Sequence, residues 1–430
     1  MSSPSSRREV LSLSGALAGA ALAGCLGEAS PEDPEPSVSD ETLSALVRAN
    51  AAFALALHRE LSAGSDEPNV FASPHSVSVA MAMLFAGARG ETEREMAEAM
   101  RYELPQETLH PAIESLSGAL DERAENADDL GLLDRLRGRE ATFDLSVTNA
   151  LWGNEEYPYR EAYLEALDDH YGAGLRQVDF TESEATRAEI NDWVAGETND
   201  RIEEVLPEGS IQPNTHLVVT NAIHLLADWA TQFDPKDTAE GEFTAIDGTS
   251  TTTPMMRQKA EFPAALRDGI SLVELPYVGE EVSMVVIVPD GRSVEFERFE
   301  ADLTADRLDA LLSDLETSEV EVVLPRFEFG FDAHLNAVLT GLGMERAFDL
   351  GRAEFGGMTD ATVAIADVFH ESYVAVDEAG TEAAAATAGS AADSAPPRVV
   401  ADRPFLFLIR DRPTGAILFL GRIGDAGALA

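Results

Sequence analysis

Apolar residues recur every three or four positions through much of the first 171 residues, which is the spacing of amphipathic helices. The pattern predicts helices over residues 41–62, 76–85, 91–100 and 159–171. We therefore expect the N-terminal third of the chain to be mostly helical.

Strand patterns dominate the rest of the chain. Residues 141–152 alternate between apolar and polar, and residues 216–227 form a long β-branched run typical of a central strand buried on both faces. Two apolar runs, 405–409 and 416–420, flank a turn with proline and glycine, which predicts a buried hairpin. Further strands are predicted over residues 283–288, 320–324 and 369–376. Together these elements predict one α+β domain with a large, mostly antiparallel sheet.

The run from Asp377 to Ala388 is small, flexible and almost free of turn residues, and it separates a strand pattern from Pro396-Pro397. As a strand it would place small, uncharged residues on one face: Thr381, Ala383, Ala385 and Thr387. Such a face can enter between existing strands without overpacking or burying an ion. Composition alone favours a different interpretation, a low-complexity surface linker.

No catalytic or metal-binding motif is present in the sequence. The eight histidines show neither His-Glu-x-x-His nor a Cys/His spacing suited to zinc. There is no nucleophile elbow, phosphate-binding loop or dinucleotide fingerprint. We therefore expect no metal, no cofactor and no enzymatic activity.

The chain resembles the serpin family from about residue 40 to residue 423, because several motifs occur in that family's order and at matching separations. They are Asn69-Val-Phe-Ala-Ser-Pro-His-Ser76, Ile190-Asn-Asp-Trp-Val194, Thr220-Asn-Ala222, Leu275-Pro-Tyr277, Leu324-Pro-Arg-Phe327, Glu378-Ala-Gly-Thr-Glu-Ala-Ala-Ala-Ala386 and Arg403-Pro-Phe-Leu406. The resemblance implies the serpin fold: one α+β domain with a large, mostly antiparallel sheet, two smaller sheets, about nine helices and an exposed reactive-centre loop near residues 378–402.

The resemblance also implies roles for particular residues. The hinge of the loop would comprise Glu378, Gly380, Thr381, Glu382, Ala383, Ala384, Ala385 and Ala386. A polar group beneath the main sheet would comprise Ser73, Ser76, Asn221 and His370, with Trp229 near the top of the sheet where the loop enters. Pairing Ser73 with His370 as nucleophile and base is the alternative, but the surroundings are apolar and no oxyanion-hole signature accompanies them.

Inhibitory serpins form a covalent acyl-enzyme with the protease that attacks the loop, so the resemblance implies a suicide inhibitor. The attacked bond is Asp393–Ser394 or Ser394–Ala395, depending on the end from which the loop is counted. The small residues around Ser394 favour subtilisin-like or elastase-like targets, whereas a cut after Asp393 would indicate an Asp-specific or cysteine protease. A non-inhibitory binding or chaperone protein of the same fold remains the alternative.

The N-terminus resembles a twin-arginine export signal over residues 1–24, with Arg7-Arg8 before an apolar run too short to span a bilayer. Leu22-Ala-Gly-Cys25 resembles a lipobox, so Cys25, the only cysteine, is expected to carry lipid; an ordinary buried cysteine is the alternative. Residues 25–40 are predicted to be a disordered acidic tether before a folded domain at 41–425. We expect an exported monomer, extracellular or anchored to the outer face of the membrane only through this lipid.

Acidic residues outnumber basic ones by 78 to 30, giving a formal net charge of −48. Nucleic acid is therefore excluded as a partner. Such self-repulsion destabilises a compact state at ordinary ionic strength, but at 1 M salt the Debye length is only about 3 Å. The carboxylates are spread along the whole chain rather than clustered, which favours adaptation to molar salt over a metal- or polycation-binding surface.

Overall fold

The computed structural model describes residues 38–136, 143–172, 174–198, 200–291, 294–379 and 396–427. The α-helices in these ranges are α1 (Asp40–Gly64), α2 (Pro74–Phe85), α3 (Gly90–Met100), α4 (Gln106–Leu136), α5 (Glu161–Tyr171), α6 (Ser183–Glu197), α7 (Phe296–Asp302), α8 (Ala305–Ser313) and α9 (Asn336–Gly341). The strands are β1 (Val70–Ala72), β2 (Phe143–Asn154), β3 (Arg176–Val178), β4 (Leu217–Ala227), β5 (Ala239–Thr244), β6 (Ser250–Arg267), β7 (Ile270–Pro276), β8 (Val282–Pro289), β9 (Glu316–Pro325), β10 (Phe327–His334), β11 (Ile365–Val376), β12 (Arg398–Val400), β13 (Phe405–Asp411) and β14 (Ile417–Ile423).

The larger sheet has nine strands in the order β1-β14-β13-β8-β7-β6-β9-β12, with β5 also paired to β6. All its pairings are antiparallel except β9 with β12. The family resemblance implies two smaller sheets beside the main one. Here these two are joined into the nine-stranded sheet, because the 18-residue β6 pairs with β5 and β9 and, at its C-terminal end, with β7. One long continuous strand therefore turns two expected sheets into one.

The second sheet has five strands in the order β10-β11-β4-β2-β3. β10 with β11 and β4 with β2 are antiparallel, whereas β11 with β4 and β2 with β3 are parallel. The prediction of a buried central strand at residues 216–227 is confirmed as β4, which lies in the middle of this sheet. Its parallel neighbour in the sheet, β11, comes from more than 130 residues later in the chain.

The main core lies between the two sheets and includes α2, whose buried residues pack with strands of both. Ser73 starts this helix: its hydroxyl accepts from the amide of Ser76, and Pro74 occupies the first helical position, where its missing N–H costs nothing. On the opposite face of the five-stranded sheet, α6 packs Ile190 and Val194 against β2 and β4. No helix in the described ranges is both long enough and apolar enough to cross a membrane.

Candidate functional site

The candidate site begins where β11 ends. The chain leaves this strand at Val376, continues through Asp377–Ala379, and resumes at Pro396 before entering β12 in the other sheet. The predicted hinge residues from Gly380 to Ala386, the predicted bond at Asp393, Ser394 or Ala395, and the predicted lipid site Cys25 all lie outside the described residues. Of the predicted hinge, the structure places only Glu378.

Main-chain and indole hydrogen bonds fix the three residues that follow β11. Trp229 donates from its indole Nε1 to the carbonyl of Asp377 (3.0 Å) and from its backbone N–H to the carbonyl of Ala379 (2.7 Å). The backbone N–H of Phe233 donates to the carbonyl of Glu378 (2.8 Å). Trp229 is itself stacked on Tyr277 at 4.6 Å. Trp229, predicted to lie near the top of the sheet where the loop enters, thus contacts Asp377 and Ala379, the first and third residues after β11.

The carboxylate of Glu378 completes this arrangement although its side chain is buried. The Thr238 hydroxyl donates to Oε1 (2.5 Å), and the Arg326 guanidinium donates to Oε2, from Nε at 2.7 Å and also from a terminal nitrogen. Burial alone would raise the pKa of Glu378, but the hydrogen bonds from Thr238 and Arg326 outweigh it and lower the pKa below its ordinary value. We call Trp229, Phe233, Thr238 and Arg326, with their contacts to Asp377–Ala379, the hinge anchor.

The pairing between β4 and β11 stops before either strand ends. The parallel register runs from Ile365 opposite Leu217 to Tyr373 opposite His224. Beyond that point β11 continues to Val376, paired on one side with β10, and β4 continues to Ala227, paired with β2. The two central strands therefore separate at the end nearest the hinge anchor.

A row of polar side chains crosses the middle of the same sheet. Asn149 on β2 lies opposite Asn221 on β4, and Asn221 lies beside His370 on β11. Asn221 donates from Nδ2 to Oδ1 of Asn149 and to the Ser76 hydroxyl (2.5 Å), and its Oδ1 contacts Nδ1 of His370. The last contact is a direct bond between β4 and β11, so these two strands can part only if it breaks.

The hydrogen bonds of Ser73 decide between structural and catalytic roles for this group. The Ser73 hydroxyl donates to the carbonyl of Leu418 (2.7 Å), while its backbone N–H donates to Nε2 of His370 (3.3 Å). His370 therefore accepts at Nε2 and donates from Nδ1 to Asn221. Burial lowers the pKa of His370 to about 3, so the ring is neutral. Because the Ser73 hydroxyl does not contact the imidazole, this geometry does not make Ser73 a nucleophile.

We call Ser73, Ser76, Asn149, Asn221 and His370 the polar cluster. The structure brings together the four members predicted from sequence and adds Asn149. The sequence signal for Asn149 was a polar residue within the apolar half of the β2 pattern. Arg326 belongs to the Leu324-Pro-Arg-Phe327 motif, but that motif does not indicate a contact with Glu378, and Thr238 carried no signal. The role of both residues depends on where Glu378 lies in the fold.

The far end of the segment is held by β12. The backbone N–H of Glu321 donates to the carbonyl of Pro397 (3.0 Å), and that of Ala401 donates to the carbonyl of Val323 (2.9 Å). Arg398 forms an ion pair with Glu321 at 3.0 Å. The two ends of residues 380–395 are thus fixed in different sheets. Across the residues that the structure describes, no group of three or more His, Cys, Asp or Glu side chains could hold a metal ion.

Comparisons with known proteins agree on one family. The family model described as Serpin (serine protease inhibitor) matches residues 48–426. An uncharacterized serpin-like protein of Thermococcus kodakarensis is 36% identical over 431 residues, covering 94% of this chain and 95% of that protein. The human leukocyte elastase inhibitor is 36% identical over 392 residues, covering 88% and 99%. The crystal structure of native protease nexin-1 with heparin has a TM-score of 0.77 at 26% identity, covering 89% of this chain and 100% of that one.

Proposed function

The chain belongs to the serpin family, and from that premise we propose that it is a suicide inhibitor of extracellular serine proteases. A target protease attacks the segment between β11 and β12 and becomes acylated by it. The severed segment then enters the five-stranded sheet between β4 and β11 and carries the tethered protease with it. The acyl-enzyme persists because a catalytic group misplaced by about 1 Å loses on the order of a hundredfold in rate.

The separation of β4 and β11 near the hinge anchor is the observation that carries this proposal. The two strands are parallel, so a chain that turns back after β11 runs antiparallel to both and can pair with both. Entry starts where the β4–β11 pairing has already stopped, at Tyr373 and His224. It then proceeds toward the polar cluster, whose His370–Asn221 bond must open.

The segment is long enough to extend along the whole length of the five-stranded sheet. As a strand, residues 380–394 extend roughly 50 Å at about 3.3 Å each. A domain of this size has a diameter of roughly 55 Å. Insertion therefore moves the protease from one end of the inhibitor to the other, far from the β12 end where it first attacked.

Small side chains around the predicted bond support targets with small specificity pockets. Residues 389–395 contain glycine, alanine, serine and one aspartate, with no basic or bulky residue. The name of the human relative, leukocyte elastase inhibitor, supports an elastase-like target, and export supports a secreted subtilisin-like one. Cleavage after Asp393 would point instead to an Asp-specific protease.

The cellular setting belongs to the same proposal. The Arg7-Arg8 signal and Cys25 support an exported protein, released or anchored by lipid to the outer face of the membrane, and the proposal takes it to be a monomer. The charge of −48 supports function in molar salt.

Incubation with subtilisin in molar KCl tests this function directly. We expect a protease–inhibitor band that survives boiling in detergent, and mass spectrometry should place the acyl bond at residue 393 or 394. Catalytically inactive subtilisin, with its serine replaced, is the control and should give no such band. Cleavage of the segment without any covalent band would refute the inhibitory mechanism and favour a non-inhibitory binding protein.

A further inference from the structure

β3 covers only a short part of the edge of the five-stranded sheet. β2 pairs with β4 from Phe143 to Gly153, whereas β3 pairs with β2 only at Trp152–Asn154. Within the described ranges, no strand pairs with residues 143–151 on the side away from β4. Alternate N–H and C=O groups of a strand point to opposite edges, so residues 145–149 of β2 present backbone groups without a strand partner.

A cavity of about 780 Å³ runs along this part of the edge. Five consecutive β2 residues, 145–149, line it. Because successive side chains of a strand point to opposite faces, one cavity can touch all five only along the strand's edge. One wall, on one face of the sheet, comes from α2 and α4 and includes Val79, Met83 and Leu120. The other wall, on the opposite face, comes from α6 and includes Trp193 and Glu197.

His75 gives the α2 wall an unused polar group. Its side chain is only 5% exposed, and its Nδ1 has no hydrogen-bond partner in the part of the chain that the structure describes. Burial lowers the pKa of His75 to about 4, so the ring enters the cavity wall as a neutral imidazole. A buried polar atom left unpaired costs about 1–3 kcal/mol. The His75 ring thus forms part of the cavity lining, while its unpaired Nδ1 is covered by protein atoms.

We propose that this edge binds an extended peptide segment of another protein, about five residues long, which adds a strand to β2. Backbone pairing with residues 145–149 provides affinity, as in other cases of strand addition. One set of alternate peptide side chains faces α2 and α4, where Val79, Met83 and Leu120 favour apolar residues. The other set faces α6, where the Arg176 guanidinium already covers the Trp193 ring at 4.1 Å and exposed Glu197 favours lysine or arginine beside it. The charge of −48 attracts a cationic segment from a distance.

A blocked pentapeptide of sequence Val-Lys-Val-Lys-Val is a suitable probe, because its pattern is the same in either chain direction. Binding should change the fluorescence of Trp193 or Trp152, two of the three tryptophans in the chain. It should also slow hydrogen exchange of amides within residues 143–151. Methylating alternate peptide nitrogens separates the two edges of the peptide: one methylated set should lose binding about tenfold or more, and the other should bind normally.

Val147 and Leu266 offer a matched pair of variants. Both are large apolar residues on strands, exposed at 40% and 43%, so a lysine at either position is tolerated by the core and adds the same charge. Val147→Lys should weaken the probe about tenfold or more, and Leu266→Lys should leave it unchanged. Equal effects of the two variants, or equal effects of both methylated sets, would overturn strand addition.

Two further outcomes would also overturn the proposal in favour of another occupant. Concentration-dependent protection of residues 143–151 without peptide would assign the edge to a second copy of this chain. Binding of small amphipathic molecules with no dependence on peptide N–H groups would assign the cavity to a small ligand. None of these measurements uses a protease, so they are independent of the inhibitory function proposed above.

Discussion

Replacement of Glu378 by glutamine tests how much the hinge anchor stabilises the uncleaved protein. Glutamine has the same shape as glutamate but keeps only one acceptor oxygen, and its amide group presents a second donor to Thr238 or Arg326. Because the Thr238 hydroxyl can also accept, the amide group can donate to Thr238 while the remaining oxygen accepts from Arg326, so both contacts can persist but neither involves a charged acceptor.

The structure sets the expected magnitude. Hydrogen bonds to a charged group contribute about 1.5–3 kcal/mol, against about 0.5–1.5 kcal/mol for neutral ones. Arg326 is 46% exposed, so water and salt screen its share of the interaction. We expect Glu378→Gln to lower the free energy of unfolding by about 1–2 kcal/mol. At about 2.1 cal/mol/K of unfolding entropy per residue, the melting temperature of a domain this large falls by roughly 1–3 °C.

The lowered pKa of Glu378 determines how the stability difference between wild type and Glu378→Gln should change with pH. Because the folded-state pKa of Glu378 is lowered, its stabilisation is complete above the ordinary carboxyl pKa of about 4.3 and is lost as pH falls through the folded value. The difference in urea midpoint between wild type and Glu378→Gln should therefore be largest near neutral pH and shrink in acid. A double-mutant cycle with Arg326→Gln separates the ion pair from the Thr238 contact. A midpoint difference of zero, or one independent of pH, would refute this account of the hinge anchor.

Other predictions concern insertion and the polar cluster. Cleavage within residues 380–395 should raise the melting temperature markedly in calorimetry, and an unchanged value would contradict insertion. Thr381→Arg should convert the inhibitor into a substrate, because a charge must be buried early in insertion; Thr381→Ser should still form the covalent band on a denaturing gel, and equal yields would contradict the proposal. Asn221→Ala leaves the Nδ1–H of His370 without its bond and should cost about 1–3 kcal/mol in urea unfolding, whereas wild-type stability would show that the polar cluster contributes nothing. Because His370 is neutral when folded, stability in molar salt should fall by about 1.4 kcal/mol per pH unit as pH drops from about 6.5 toward 3, and His370→Gln should remove that share of the slope.

The periodicity of apolar residues predicted those helices and strands whose burial can be recognised from their own sequence. The helix predicted at 76–85 is α2, and the run at 216–227 is β4. Both were recognisable because a helix or strand buried on all sides has a largely apolar sequence. The C-terminal hairpin was found for the same reason, with its turn residues between two apolar runs. Ser73, Ser76, Asn221 and His370 were found together only through family resemblance, since no spacing rule connects them.

Features that depend on several distant segments were beyond the sequence. Asn149 joins the polar cluster because β2 lies antiparallel to β4 in one register, and a shift of one residue would turn its side chain to the α6 face. Arg326 reaches Glu378 because β10 and β11 are antiparallel neighbours, so the residue before β10 lies beside the residues after β11. The early end of the β4–β11 pairing has no local signature at all.

Two contacts, the Asn221–His370 hydrogen bond and the Arg326–Glu378 ion pair, explain how the five-stranded sheet stays closed between β4 and β11 and can still open there. Breaking a buried ion pair leaves an uncompensated charge and costs about 3–5 kcal/mol, whereas breaking a neutral hydrogen bond costs about 1–3 kcal/mol. The bond that joins β4 to β11 in the interior, between Asn221 and His370, is neutral because burial suppresses protonation of the ring. The ionic contact is placed instead at the end of the sheet, where Arg326 is half exposed and water can solvate the guanidinium once Glu378 moves away. In a chain with 78 acidic residues, the uncharged side chains of Asn221 and His370 keep the free-energy cost of insertion between β4 and β11 low. The charged contact lies at the end of the sheet, where breaking it leaves no buried cation.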